Sequence, residues 1–197
     1  MDNPTVVKRV TRETQIILSL RVSGQGVSKI ETTYPFFDHM LLLFSCHGFF
    51  DLEISAQADV KVGYHHLLED MGICLGKAFK EALGTKKGIR RYGSAFVPMD
   101  DVLTQCVIDI SGRPFLIFKV PSLFLGNQID LEGFEGFFRS FSSHSGTTMH
   151  INVHYGTGVH HILESIFKAF ALSLDEATLP EVRRKGVPSS KGQIDEI

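Results

Sequence analysis

The pattern HHxxE occurs twice, as His65-His66-Leu67-Leu68-Glu69 and as His160-His161-Ile162-Leu163-Glu164, and each copy opens a stretch of helical period. The copies hold matching places in a repeated order of elements. In the first half, PFFDHMLLLFSCHGFF reads as a helix, with Pro35 in its first turn and Gly48 at its stop. A strand over DLEISAQ (51–57) follows, then the helix from His65, which Gly84 ends. In the second half LEGFEGFFRSFSSHSG reads as a helix, TMHINVHY (148–155) as a strand and HHILESIFKAFALSLDEA as a helix. FSCHG (44–48) is echoed by FSSHS (141–145). Further strands are expected at 14–22, before the turn SGQG, and at 102–110 and 114–120 around SGRP.

A chain that runs twice through strand, helix, strand, helix is expected to be α+β, with an internally duplicated unit. Each half is a mixed or antiparallel β-sheet backed by two α-helices. The halves are 1–93 and 94–180, in one compact domain, and the polar, Gly- and Pro-punctuated tail 181–197 is a flexible C-terminal arm. Gly72 and Gly76 inside the first HHxxE helix each cost about 1 kcal/mol relative to Ala, which makes sense if another backbone packs close there. Sixteen Phe and no Trp point to a Phe-rich core or subunit contact.

On a helix, residues four apart differ by about 40° in direction, so His65 shares a face with Glu69 and His160 with Glu164. The adjacent His66 and His161 point about 100° away. Each copy thus offers ligands in two directions, and two copies can hold two metal ions. Imidazole and carboxylate suit Mn²⁺, Fe²⁺ and Zn²⁺ alike. Four protein ligands per ion require two more histidines. His39, in FFDHM, and His150, on the strand before the second copy, are the candidates. His150 shares a strand face with Asn152 and His154, and period alone does not choose among them. His47, His144 and His154 read as polar surface.

Four basic elements stand beside Gly, Ser or Pro: GIRRYG (88–93), ISGRP (110–114), FKAF (167–170) and PSSKG (188–192). Fixed cations with hydroxyl and backbone donors suit a phosphate. Lys168 lies two turns beyond His160, so an anion there would sit about 10 Å from the metals. A small phosphorylated substrate whose other end touches metal fits this spacing. A net charge of −2 provides no global field for nucleic acid. No apolar run approaches the roughly 18 residues of a membrane span, and MDNPTVVKRVTRET lacks a signal peptide's apolar stretch. Three scattered cysteines fit a reducing compartment. The expectation is a cytoplasmic protein that binds neither nucleic acid nor membrane; a plastid protein with its transit peptide removed would read the same way.

Taken in order, FFDHM, HHxxED with Gly76 after it, PMD, D-x-SGRP, H-x9-HHxxE-x-x-FKA and PS-S-KG resemble the imidazoleglycerol-phosphate dehydratase family, from about residue 9 to 192. The resemblance implies a lyase of histidine biosynthesis that removes water from imidazole glycerol phosphate to give imidazole acetol phosphate. It implies two Mn²⁺ per active site and a large homo-oligomer, commonly of 24 subunits, with sites completed between subunits. Carried over by motif, one ion takes His65, Glu69, His150 and His160, and the other His39, His66, His161 and Glu164. Arg91, Arg113, Lys168, Ser190 and Lys191 hold the phosphate. Ring nitrogens on metal favour loss of the neighbouring hydroxyl, and a carboxylate, Glu164 or Glu13, takes the side-chain proton.

The chain departs from the family's usual pattern at several points. Leu67 stands for Thr, Gly63 and Tyr64 for a segment with Asp, Asp101 for Glu, Leu42 and Leu43 for polar residues, and Gly158 for Asn. Two other readings compete: a divergent metal-dependent enzyme on another small phosphate ester, such as a phosphatase, and a non-catalytic oligomer stapled by metal.

Overall fold

Ile16, Leu18 and Leu20 alternate with Gln15, Ile17 and Ser19, and this alternation buries one face of a strand while the other meets solvent. The computed structural model describes residues 3–59, 61, 63–121 and 129–194. The first half runs β1 (Thr5–Val10), β2 (Thr14–Arg21), β3 (Ser28–Glu31), α1 (Pro35–Gly48), β4 (Asp51–Ala58) and α2 (His65–Leu83). The second repeats that order as β5 (Tyr92–Met99), β6 (Val102–Asp109), β7 (Phe115–Lys119), α3 (Leu131–Ser145), β8 (Thr148–Tyr155) and α4 (Val159–Thr178). The strand orders are β1-β2-β4-β3 and β5-β6-β8-β7. In each sheet one pair is parallel, β3 with β4 and β7 with β8, and a helix makes the crossover. The chain is therefore α+β and internally duplicated, with two mixed four-stranded sheets. β5 begins at Tyr92, so a division at 93/94 falls inside it. SGRP is not a hairpin turn, because β8 lies between β6 and β7.

The two sheets enclose the helices. α2 lies on β1 and β2, α4 lies on β5 and β6, and the halves meet where α2 packs on α3 and α1 on α4. A Cβ added at Gly72 would meet the Phe137 carbonyl, and one at Gly76 the Phe141 carbonyl, so α2 and α3 advance together in the same direction. The close backbone approach expected at these two glycines is present. His39 beside Glu164 and Phe44 stacked on Phe170 show that α1 and α4 also run parallel. Tyr34, Phe36, Tyr64, Phe134 and His160 touch one another in sequence, so all four helices start at one end of the molecule. Behind that end Phe37, Phe134, Phe137, Phe138, Phe167 and Phe170 form a buried aromatic network. This fixes the helices that carry the HHxxE residues.

Candidate metal and anion site

α2 and α4 both begin at a residue without a side-chain cap, Tyr64 and Gly158, so their histidine pairs stand in the first turn at the shared end. There α1 and α4 bring three donors together. His39 Nε2 is 3.1 Å, and His160 Nε2 2.9 Å, from Glu164 Oε1. The three ligand atoms lie within 4.8 Å of one another. Lys168 Nζ donates to the other carboxylate oxygen, Oε2, at 2.7 Å and approaches Met99 Sδ at 3.2 Å. Burial pushes the Glu164 carboxyl up, but hydrogen bonds from Lys168, His39 and His160 outweigh it and hold its pKa at about 2. The carboxylate is buried while His160 is half exposed, so the cluster opens to solvent on the imidazole side.

The remaining expected ligands lie around this cluster in separate groups. His65 Nε2 stands 4.0 Å from Glu69 Oε2, with both side chains half exposed. His66 Nδ1 is 3.6 Å from Glu13 Oε2, beyond hydrogen-bond distance, and that nitrogen is enclosed without a hydrogen-bond partner. His161 Nδ1 faces Asp100 and Asp101 at 3.6 and 3.8 Å. His150, Asn152 and His154 point away from the helices, because the alternate residues Met149, Ile151 and Val153 fill the core. His150 is thus on the outer face of the second sheet, away from His65, Glu69 and His160. Within one chain the converging set, His39, His160 and Glu164, also crosses the division into two groups of four. Sequence reasoning assigned no role to Asp100 or Asp101 beside His161, although PMDD contains both.

Four of the five residues expected to hold phosphate, Arg91, Arg113, Ser190 and Lys191, line one pocket of about 250 Å³ together with Tyr92 and Ser111, among others. Lys168 is not in it; as a residue one helical turn after Glu164, it is committed to that carboxylate. Arg91 is already engaged. Its Nε and Nη2 donate to both oxygens of Asp109 at 2.7 and 3.1 Å, and its Nη1 donates to the Pro188 carbonyl at 2.7 Å. Its hydrogen bond to Asp109 raises the Arg91 pKa further. Arg91 therefore ties the start of PSSKG to the pocket wall. Among the described residues the Arg113 guanidinium makes one long bond, Nη1 to the Ser111 carbonyl at 3.4 Å, and it lines the pocket. Asp109, the acid of D-x-SGRP, is a residue to which the sequence assigned no role of its own.

The chain's matches to known proteins agree with one another. A family model described as imidazoleglycerol-phosphate dehydratase matches residues 32–174. The chain belongs to the imidazoleglycerol-phosphate dehydratase family. The imidazoleglycerol-phosphate dehydratase of Syntrophobacter fumaroxidans is 50% identical over 95% of this chain and 96% of its own length. That of Geobacter sulfurreducens is 50% identical over 98% of this chain and 100% of its own. The crystal structure of the Staphylococcus aureus dehydratase superposes with a TM-score of 0.79 at 37% identity, covering 90% of this chain and 99% of that one. The Pyrococcus furiosus structure superposes with a TM-score of 0.82 at 32% identity, covering 95% and 99%. The chain is accordingly a lyase of the hydro-lyase class, in histidine biosynthesis.

Three of the departures from the usual dehydratase pattern, at Leu67, Tyr64 and Asp101, have local explanations, while nothing in the structure explains Leu42. Leu67 is fully buried among core residues, where a methylated side chain packs without needing a hydrogen-bond partner. Tyr64 stacks on Tyr34 with ring centroids 3.8 Å apart and ties the start of α2 to that of α1. Asp101 accepts from both the Thr157 amide (3.2 Å) and hydroxyl (3.0 Å), and so pins the loop that leads into His160-His161. That loop ends at Gly158, which starts α4 without a capping side chain.

Proposed function

We propose that this chain dehydrates imidazole glycerol phosphate to imidazole acetol phosphate with two Mn²⁺ ions per active site. The observation that carries the reading is the convergence of His39, His160 and Glu164. Two imidazoles and a carboxylate from two helices, with ligand atoms within 4.8 Å of one another, are the donor set a first-row divalent ion takes. These three residues would hold one ion; His65, His66, Glu69, His150 and His161 are the reserve from which its remaining ligands and the second ion's come. When bound, the metal supplies Lewis-acid activation of the substrate's imidazole ring.

The chain's own residues do the rest. Both oxygens of Glu164 are engaged, by His39 and His160 on one side and Lys168 on the other, which favours Glu13 as the proton acceptor. Glu13 accepts the carbon-bound proton of the side chain, the hydroxyl beside the ring leaves, and the elements of water are lost. Arg113, Ser190 and Lys191 hold the phosphate, with Arg91 bracing the segment that carries Ser190 and Lys191. His150 sits between Val107 and Ile117 on a sheet face that also exposes Phe96 and Phe115. An apolar face of this kind favours a covering partner, and in this reading the partner is a second copy of the chain, within a large homo-oligomer whose sites draw on more than one subunit.

One assay tests the proposal. Protein reloaded with Mn²⁺ is given imidazole glycerol phosphate, and formation of the enolisable ketone is followed. No ketone from fully metal-loaded protein refutes it, and release of inorganic phosphate instead marks a hydrolase.

A further inference from the structure

Glu13 stands in the tight turn between β1 and β2, which the Thr11 amide closes by donating to the Thr14 carbonyl at 2.8 Å. The Thr14 hydroxyl donates to Asp70 Oδ2, since a carboxylate only accepts. In the 3.1 Å contact between the Thr11 and Thr14 hydroxyls Thr11 is then the donor, and the Thr14 carbonyl, 3.5 Å from the same hydroxyl, is a longer second acceptor. The Thr11 oxygen in turn accepts two backbone amides, Glu13 N–H at 3.1 Å and Thr14 N–H at 2.9 Å. The Glu13 carbonyl accepts the Asp59 amide at 2.9 Å. Glu13 is thereby held at its N–H and at its C=O while its side chain stays exposed. The far end of the chain of bonds is also anchored, because Asp70 Oδ1 pairs with Arg9 at 2.8 Å.

This network is placed where it can aim Glu13. Asp70 lies four residues after His66 on α2, so the two share one helix face. Glu13 and Thr14 are adjacent on the turn, and they face His66 and Asp70 respectively. Thr14 and Asp70 are buried, at 2% and 7% exposure, so the anchor is shielded from water beside a carboxylate that is not. We infer that Thr11 is a positioning residue for Glu13: its hydroxyl, held through Thr14, Asp70 and Arg9, sets the turn that aims the Glu13 carboxylate at His66. The inference rests on the reading of Glu13 as proton acceptor.

Thr11→Val removes the hydroxyl at nearly constant shape and leaves the Glu13 and Thr14 amides without their acceptor. On metal-loaded enzyme it should lower kcat by roughly ten- to a hundredfold, the cost of misplacing a reacting group by about 1 Å, at nearly unchanged KM and metal content. Thr11→Ser, which restores the hydroxyl, should recover most of the rate. In a Glu13→Ala background Thr11→Val should cause no further loss, because residues acting as a unit are not additive. A Thr11→Val enzyme with wild-type kcat, or an equal loss from Thr11→Val with and without Glu13, overturns the positioning role and leaves Glu13 in place. Full turnover by Glu13→Ala alone overturns the reading of Glu13, and the inference falls with it.

Discussion

Replacing Gly72 with Ala should destabilise the protein, against the helix propensity of the two residues. In an unobstructed helix Ala is favoured over Gly by about 1 kcal/mol. Here the added Cβ would stand 2.3 Å from the Phe137 carbonyl oxygen and 3.0 Å from Ser140 Cβ, where ordinary contact begins at 3.4 Å. The first obstacle is backbone of α3, so relief requires the two helices to part by about 1 Å. Overpacking of this kind costs about 1–3 kcal/mol. A domain of this length loses about 2–4 °C of Tm for each kcal/mol, so a fall of roughly 2–12 °C is expected. The control is Gly136→Ala on α3, whose added Cβ meets only His65 Cε1 at 3.8 Å and should gain the propensity term of about 1 kcal/mol. Thermal and urea unfolding at one fixed protein concentration compares the three proteins without a shift from assembly. A Gly72→Ala protein as stable as wild type would refute the close α2–α3 packing as the reason for glycine.

Three further expectations are independent of that one. Arg113→Ala should raise KM for the phosphorylated substrate about tenfold or more, the worth of one charged hydrogen bond, with a smaller change in kcat; an unchanged KM in steady-state kinetics would remove Arg113 from the anion site. His39→Ala should weaken Mn²⁺ binding beyond the roughly 10–100-fold that loss of an outer-sphere partner costs, as read by equilibrium dialysis, and intact affinity would show that His39 is no ligand. At pH 8 an aromatic disulfide reagent should titrate one thiol, Cys46, in the folded protein and three after unfolding. Burial pushes Cys74 up to about 11, against the pull of Arg9, and Cys106 up to about 12. Because these acids are weakened by folding, the stability they contribute is full below the ordinary thiol pKa of 9 and declines as pH rises toward 11–12. Three thiols reacting together in the folded protein, or stability flat across that window, would contradict this burial.

The repeated halves and all four helices could be read from the sequence because their periods are long and their stops are Gly or Pro. The strands that escaped notice, β1, β3 and β5, all lie at sheet edges. β3 has only four residues, and β5 contains Gly93 and Pro98, both of which weaken a strand pattern. Pro98 is tolerated there because an edge strand has a side that needs no amide. At the site, helical spacing correctly paired His160 with Glu164, since four residues is a local distance. It had no means of showing that His150 faces outward, because period two leaves both faces equivalent until burial is known. Lys168 has a partner that its spacing also allowed: Glu164 lies one turn before it on the same helix and pairs with it. Arg91 looked like a free cation because its partner, Asp109, is eighteen residues along the chain and across the sheet.

The duplication also provides an internal comparison. Aligned by strand register, the path from Arg21 to Val27 matches that from Asp109 to Phe115, which sets Arg21 against Asp109, Asp51 against Thr148 and Gln25 against Arg113. In the first loop the Asp51 carboxylate accepts the amides of Gln25 and Val27, so that loop already holds a negative group from its own chain. In the second the neutral Thr148 hydroxyl donates to the Arg113 carbonyl and leaves the loop cationic. Equivalent turns in one molecule thus differ in what they carry: one is bonded to its own aspartate, and the other presents an arginine to a pocket. The exchange of an aspartate for a threonine and a glutamine for an arginine separates the two, while the buried Val22 and Ile110 beneath them stay the same in kind.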